Sequence, residues 1–329
     1  MGYEDHTTEL VSRVPALRDR IYSIIGIEGE EELRDLLHFY EGELVRHYNY
    51  GTDPSYLFVE NDISINACAC RSGDVNIVGI NIGTFAWLKT KTPIAATRLS
   101  NEIPSILPLL NSPVDRLVHD FAAHFTFYHE LGHLVQQSNL LETQLQEQTD
   151  HTSPPSRERH ILEIDADEFS ALCLGSHLLQ YSQTILPPSP RREQIEELSV
   201  LGCASVMLHF MSFPSSRRPM YYHESSHPHP IIRITFIVLT ILNYFTQALQ
   251  NRRINISFDI NAVVRKTILA AQNMAAPIFE INPLDGFLAI LAQERRNITR
   301  YIAELRAETT TRTDLSLYKW NQAANLRNS

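Results

Sequence analysis

The sequence predicts an α+β fold: a mostly helical body with a small antiparallel sheet near its start. Two observations carry this expectation. Short apolar or alternating runs cluster between residues 55 and 81. From residue 112 onward, apolar residues instead recur at helical spacing between polar, proline-bearing breaks. The composition agrees with a globular chain of 329 residues, 43% hydrophobic and 20% charged.

Residues 29–48 form the first expected helix. Glu30, Glu31 and Glu32 crowd its first turn and Arg46 and His47 its last, which suits the helix dipole. Gly51, Asp53 and Pro54 follow as punctuation, and the runs SYLFVE, ISINACAC and VNIVGINIG then read as strands. Arg71-Ser72-Gly73-Asp74 reads as the turn of a hairpin between the last two. Ser112-Pro113 with Asp115 marks a helix start, with Ser112 as the N-cap, and this helix is expected to reach about residue 137. The polar stretch QLQEQTDHTSPPSRER reads as an exposed loop. Further helices are expected at 159–182, 192–212, 231–250, 260–276 and 284–308, separated by Pro187, Pro188 and Pro190 and by SFPSSRRPMYYHESSHPHP. The organisation is an N-terminal helical segment (1–52), one large domain (53–308) and a polar tail (309–329).

The net charge is -10, and the 28 Lys and Arg are scattered with no basic run, so neither nucleic acid nor an anionic membrane is an expected partner. The polar, acid-containing N-terminus has no secretion-signal pattern. Four cysteines, none in a CxxC pair, read as buried reduced thiols. Both features point to a cytoplasmic chain. The apolar run Ile234–Leu242 falls well short of the ~20 residues a membrane span needs, and reads as a buried helix.

The chemistry centres on His129-Glu130-Leu131-Gly132-His133, an HExxH pattern inside the expected helix 112–137. Histidines four apart share one helix face, so both imidazoles can reach one cation, and neutral imidazole suits Zn2+. Glu130 is then placed to hold an attacking water and take its proton. Small Gly132 lets another segment approach that helix closely. A catalytic zinc needs a third protein ligand and an open position. Glu163 is the best candidate, because Glu163 and Asp167 lie four apart on one face of the expected helix 159–182. Asp167 would orient a ligand imidazole from behind. Asp165 is the rival ligand, but its spacing turns it away from that face. His119 and His124 share the HExxH helix without the spacing to join the ligands.

HELGH followed by EIDADEFSA resembles the gluzincin metallopeptidases, in particular relatives of HtpX and the CAAX prenyl endopeptidase. Asn66-Ala67-Cys68-Ala69, with Val75-Asn76-Ile77-Val78-Gly79 after it, is similar to that family's Asn-Ala strand and the glycine-containing strand that follows. Ser226-His227-Pro228-His229-Pro230 with Arg233 resembles its Thr-His-Pro segment. The resemblance covers roughly residues 60 to 245. It implies a soluble zinc endopeptidase acting on a protein or peptide substrate. The strand containing Asn66 and Ala67 would line the cleft as an edge that a substrate backbone extends. By the same resemblance, His227 would stand near the metal and stabilise the oxyanion. Two other readings stay open: a dedicated intracellular effector protease of the phage-exclusion or defence type, and a non-catalytic, zinc-stabilised sensor or scaffold. An intact Glu130 argues against the last, since a structural site has no use for a base.

Overall fold

The computed structural model describes residues 2–138, 156–213, 219–252, 259–312 and 315. Along the chain run α1 (Tyr3–Arg13), α2 (Glu30–Arg46), β1 (Ser55–Glu60), β2 (Ala67–Ser72), β3 (Val75–Asn81), α3 (Ile82–Leu99), α4 (Val114–Gln136), α5 (Arg157–Ile185), α6 (Arg192–Met211), α7 (Pro230–Asn251), α8 (Ile260–Ala275) and α9 (Phe287–Thr311). The described residues are mostly helical with one three-stranded sheet, as an α+β reading requires.

The sheet corrects one expectation: it is mixed rather than antiparallel. β2 and β3 form the expected antiparallel hairpin, turning at Gly73, whose φ of +61° suits glycine. β1 pairs in parallel with the other side of β3, giving the order β1-β3-β2. The tight hairpin commits one edge of β3 to β2, so β1 can join only at the opposite edge, and there it runs in the same direction as β3.

One face of the sheet carries Leu57, Val59, Ala69, Val78 and Ile80, packed with α2 and with Phe127, Leu131 and Leu134 of α4. The other face carries Tyr56, Phe58, Cys70 and Ile77, covered by Leu10 of α1. The N-terminal segment also closes the outer edge of β1. The N–H of Leu57 donates to His6 Nε2 at 3.0 Å, that of Val59 donates to the Tyr3 hydroxyl at 2.9 Å, and Tyr22 N–H donates to the Val59 carbonyl at 2.8 Å. β2 lies at the opposite edge of the sheet.

α4 is buried on every side from Phe125 to Gln136. Its second face, with Phe121 and Phe125, belongs to the larger core built by α5, α6, α7 and α8. A helix apolar all round belongs between two layers, and α4 stands between the sheet and the helical body. Gly132 is where α5 approaches: a Cβ there would meet Ala166 Cα at 3.1 Å. By length and composition α7 could cross a bilayer, yet half of its apolar window is buried, with Ile232, Ile237, Leu242 and Phe245 in the larger core.

Two helices escaped the sequence reading. α1 is short and polar, and is held by its contacts with β1. α3 is rich in threonine and carries Pro93 in its interior, so local propensity argues against it. Burial of Phe85, Leu88, Ala95 and Leu99 prevails. The start of α4 is also corrected. Pro113, in an extended conformation, occupies the cap position itself, so Ser112 lies one residue too early to cap, and no side chain caps this helix. The expected loop 144–159 falls largely outside the described residues; its last three residues, Arg157 to Arg159, already belong to α5. The polar tail likewise lies mostly outside them, although α9 extends to Thr311.

Candidate metal centre

α4 supplies His129 and His133, one turn apart, and α5 supplies Glu163 opposite them. The close passage at Gly132–Ala166 brings the two helices together at that level. His129 Nε2 and His133 Nε2 lie 3.2 Å apart, and each faces the Glu163 carboxylate, at 3.4 and 3.3 Å. One ligand atom from each of the three residues lies within 4.8 Å of the others, and among the described residues no second such group occurs. The buried His129–His133–Glu163 group could hold a metal ion.

Each imidazole is oriented through its other nitrogen. His129 Nδ1 stands 3.0 Å from Asp167 Oδ1. His133 Nδ1 stands 3.1 Å from Gln136 Oε1. Asp167 and Gln136 can each accept an Nδ1 proton, which in the neutral rings leaves the Nε2 lone pairs free for a cation, the arrangement a metal-binding histidine uses. Asp165 is accounted for by the same group. It accepts a hydrogen bond from Gln136 Nε2 at 3.0 Å, so its carboxylate faces the amide rather than the metal position.

Arg233, near the start of α7, braces the acids. Its Nε and Nη2 both donate to Asp167 at 2.8 Å, its Nη1 lies 3.0 Å from Glu163 Oε2, and the guanidinium stands over the Phe210 ring. Burial works against ionisation of Glu163, but His227, Arg233 and the two histidines hold its carboxyl well below the ordinary range. Burial likewise works against a charged His129, yet Asp167 and Glu163 outweigh it and hold that imidazole up at about 9. Burial pushes the Glu130 carboxyl upward. Glu130 is buried, and among the described residues its carboxylate forms no hydrogen bond or ion pair.

This donor set fits a zinc ion. With both imidazoles neutral, as ligation requires, Glu130, Glu163 and Asp167 outnumber the single Arg233 guanidinium, and a bound cation would offset that acidic excess. Glu163 Oε2 is buried and ion-paired with Arg233 at 3.0 Å but accepts no well-formed hydrogen bond, which leaves a lone pair for a metal ion. Two imidazole nitrogens and a carboxylate oxygen are the donors zinc prefers at an open catalytic site.

His227 lies in the loop before α7. Its ring is about half exposed, its Nε2 is 3.4 Å from Glu163 Oε1, and its Nδ1 is 2.9 Å from the Ser226 hydroxyl. Asn66 and Ala67 divide between two situations. Asn66 accepts from Asn81 N–H at 3.1 Å, and its own N–H donates to the Thr84 hydroxyl at 2.9 Å, so its backbone is engaged by β3 and α3. The antiparallel alternation then turns the N–H and C=O of Ala67, Ala69 and Arg71 toward the outer edge.

The sequence reading missed Gln136. Its signal was modest: it lies three residues after His133 and therefore on the same helix face. Comparisons with protein-family models, with characterised proteins and with solved structures find no match to this chain.

Proposed function

We propose that this chain is a zinc-dependent endopeptidase of gluzincin type, hydrolysing a protein or peptide substrate. The observation that carries the reading is convergence: the HExxH histidines meet a glutamate from a second helix, with Glu130 buried beside them and unengaged. A zinc ion held by His129, His133 and Glu163 would supply Lewis-acid polarisation of the scissile carbonyl and of a water. Glu130 takes the proton of the attacking water and delivers it to the departing nitrogen as the C–N bond breaks. Asp167 and Gln136 keep the two rings oriented, and Arg233 neutralises part of the acidic charge. His227, with Ser226 on its Nδ1, has an Nε2–H to offer the developing oxyanion. The open edge of β2 at Ala67, Ala69 and Arg71 suits a substrate backbone added as a further strand.

The test combines elemental analysis with casein cleavage. Wild type is expected to carry one zinc per chain and to cleave casein. Glu130→Gln should keep the metal and lose roughly 10²–10⁴-fold in rate, the usual contribution of a general base. Absence of zinc uptake, or equal turnover in the variant, overturns the reading.

A further inference from the structure

The loop bearing His227 has no secondary structure of its own from Pro219 to His229, yet it places one imidazole against Glu163. What holds it there is a pair of buried groups on two distant helices. His160, three residues before Glu163 on α5 and 1% exposed, has its Nε2 2.8 Å from the Ser225 carbonyl. Its Nδ1 is 2.6 Å from the Tyr301 hydroxyl of α9. A carbonyl only accepts, so His160 Nε2 carries the proton, and Nδ1 accepts from the Tyr301 O–H. The chain Tyr301→His160→Ser225 therefore has one direction. Tyr301, itself buried, also packs edge-on against Tyr222 and His223 of the same loop, with ring centroids 5.4 and 5.1 Å away. At the other side of His227, the His229 ring accepts the Ile231 N–H at 3.1 Å and caps α7. His227 is thus suspended between two fixed points, each two residues away.

We propose that His160 and Tyr301 are positioning residues that hold the Pro219–His229 loop so that His227 stands at the metal centre. This rests on the endopeptidase reading, in which His227 faces the oxyanion. His160 acts through the Ser225 carbonyl, and Tyr301 acts through His160 and through its packing on Tyr222 and His223. The α5 helix then does two jobs within one turn: Glu163 reaches the metal position, and His160 fixes the loop that covers it. α9, far along the chain, thereby helps to position the loop.

The deciding experiment is a double-mutant cycle on the full, zinc-loaded chain. His160→Phe is expected to lower kcat about 10-fold or more, short of the 10²–10³-fold typical of losing an oxyanion donor, with KM and zinc content little changed. In a His227→Ala background the same substitution should cost less than about two-fold. His160→Gln, which keeps an N–H for the carbonyl, should recover most of the rate, and Tyr301→Phe should fall between. In parallel, amide hydrogen exchange across residues 219–229 of the metal-free protein should quicken in His160→Phe and stay near wild type in His160→Gln. Equal losses in both backgrounds, or unchanged exchange in the loop, overturn the proposal. A wild type without peptidase activity sinks the endopeptidase reading instead, while the exchange arm still decides whether His160 anchors the loop.

Discussion

Replacing Asp167 with alanine removes an acceptor from two partners at once. The carboxylate is fully buried, takes both the Nε and Nη2 hydrogens of Arg233 at 2.8 Å, and lies 3.0 Å from His129 Nδ1. Without it, a buried guanidinium keeps only Glu163 as an ionic partner, and the His129 N–H is left unsatisfied. Breaking one partner of a buried ion pair costs about 3–5 kcal/mol. Arg233 is 12% exposed and retains Glu163 at 3.0 Å, so the lower end, about 3 kcal/mol, applies. The loss should appear in urea denaturation of the metal-free protein. Zinc affinity, measured by chelator competition, should fall about 10–100-fold because the His129 ring loses its orientation. Asp167→Asn separates the two effects: the amide oxygen can still accept from His129, but the charge opposite Arg233 is gone. Its stability loss should approach that of alanine while its zinc affinity stays closer to wild type. If Asp167→Ala unfolds within about 1 kcal/mol of wild type and binds zinc equally well, the bracing role assigned here is wrong.

Three further outcomes follow from the same geometry. Glu163→Ala should abolish stable zinc binding, whereas Asp165→Ala, which cuts a bond to Gln136, should weaken it only ~10-fold; the reverse order would move the ligand two residues. His227→Ala should lower kcat roughly 10²–10³-fold with zinc content and KM nearly unchanged, and a variant that loses its zinc would instead make His227 a ligand. Acid should destabilise the fold well before the carboxylates titrate. Burial holds His124 down at about 3 and His209 at about 4, against an unfolded value near 6.5. Below that value the unfolded chain binds more protons than the folded one, so the stability these neutral rings contribute is intact above it and lost as pH falls toward 3–4. At pH 5 each should cost about 2 kcal/mol. Denaturation midpoints that stay level from pH 7 to pH 5 would contradict this.

What could be read from the sequence was whatever one helix or one hairpin decides locally. His129 and His133 had to share a face because the helix repeats every 3.6 residues. The same period set Glu163 and Asp167 together and turned Asp165 aside, and the Gly73 turn announced the β2–β3 pair. Apart from the expected meeting of Glu163 with His129 and His133, contacts between segments distant in sequence left no such trace. The parallel placement of β1 depends on which edge of β3 was free. α3 exists because burial outweighs Pro93 and the threonines, and the close neighbour that Gly132 was expected to admit is identified as Ala166 only by the fold. Arg233 finds Asp167 across 66 residues, and His160 finds Tyr301 across 141. The sequence by itself therefore determined which side chains face one way along each helix. Only the tertiary structure decided which of those faces meet, because the pairing of helices and strands is set by packing of the whole core and not by any local period.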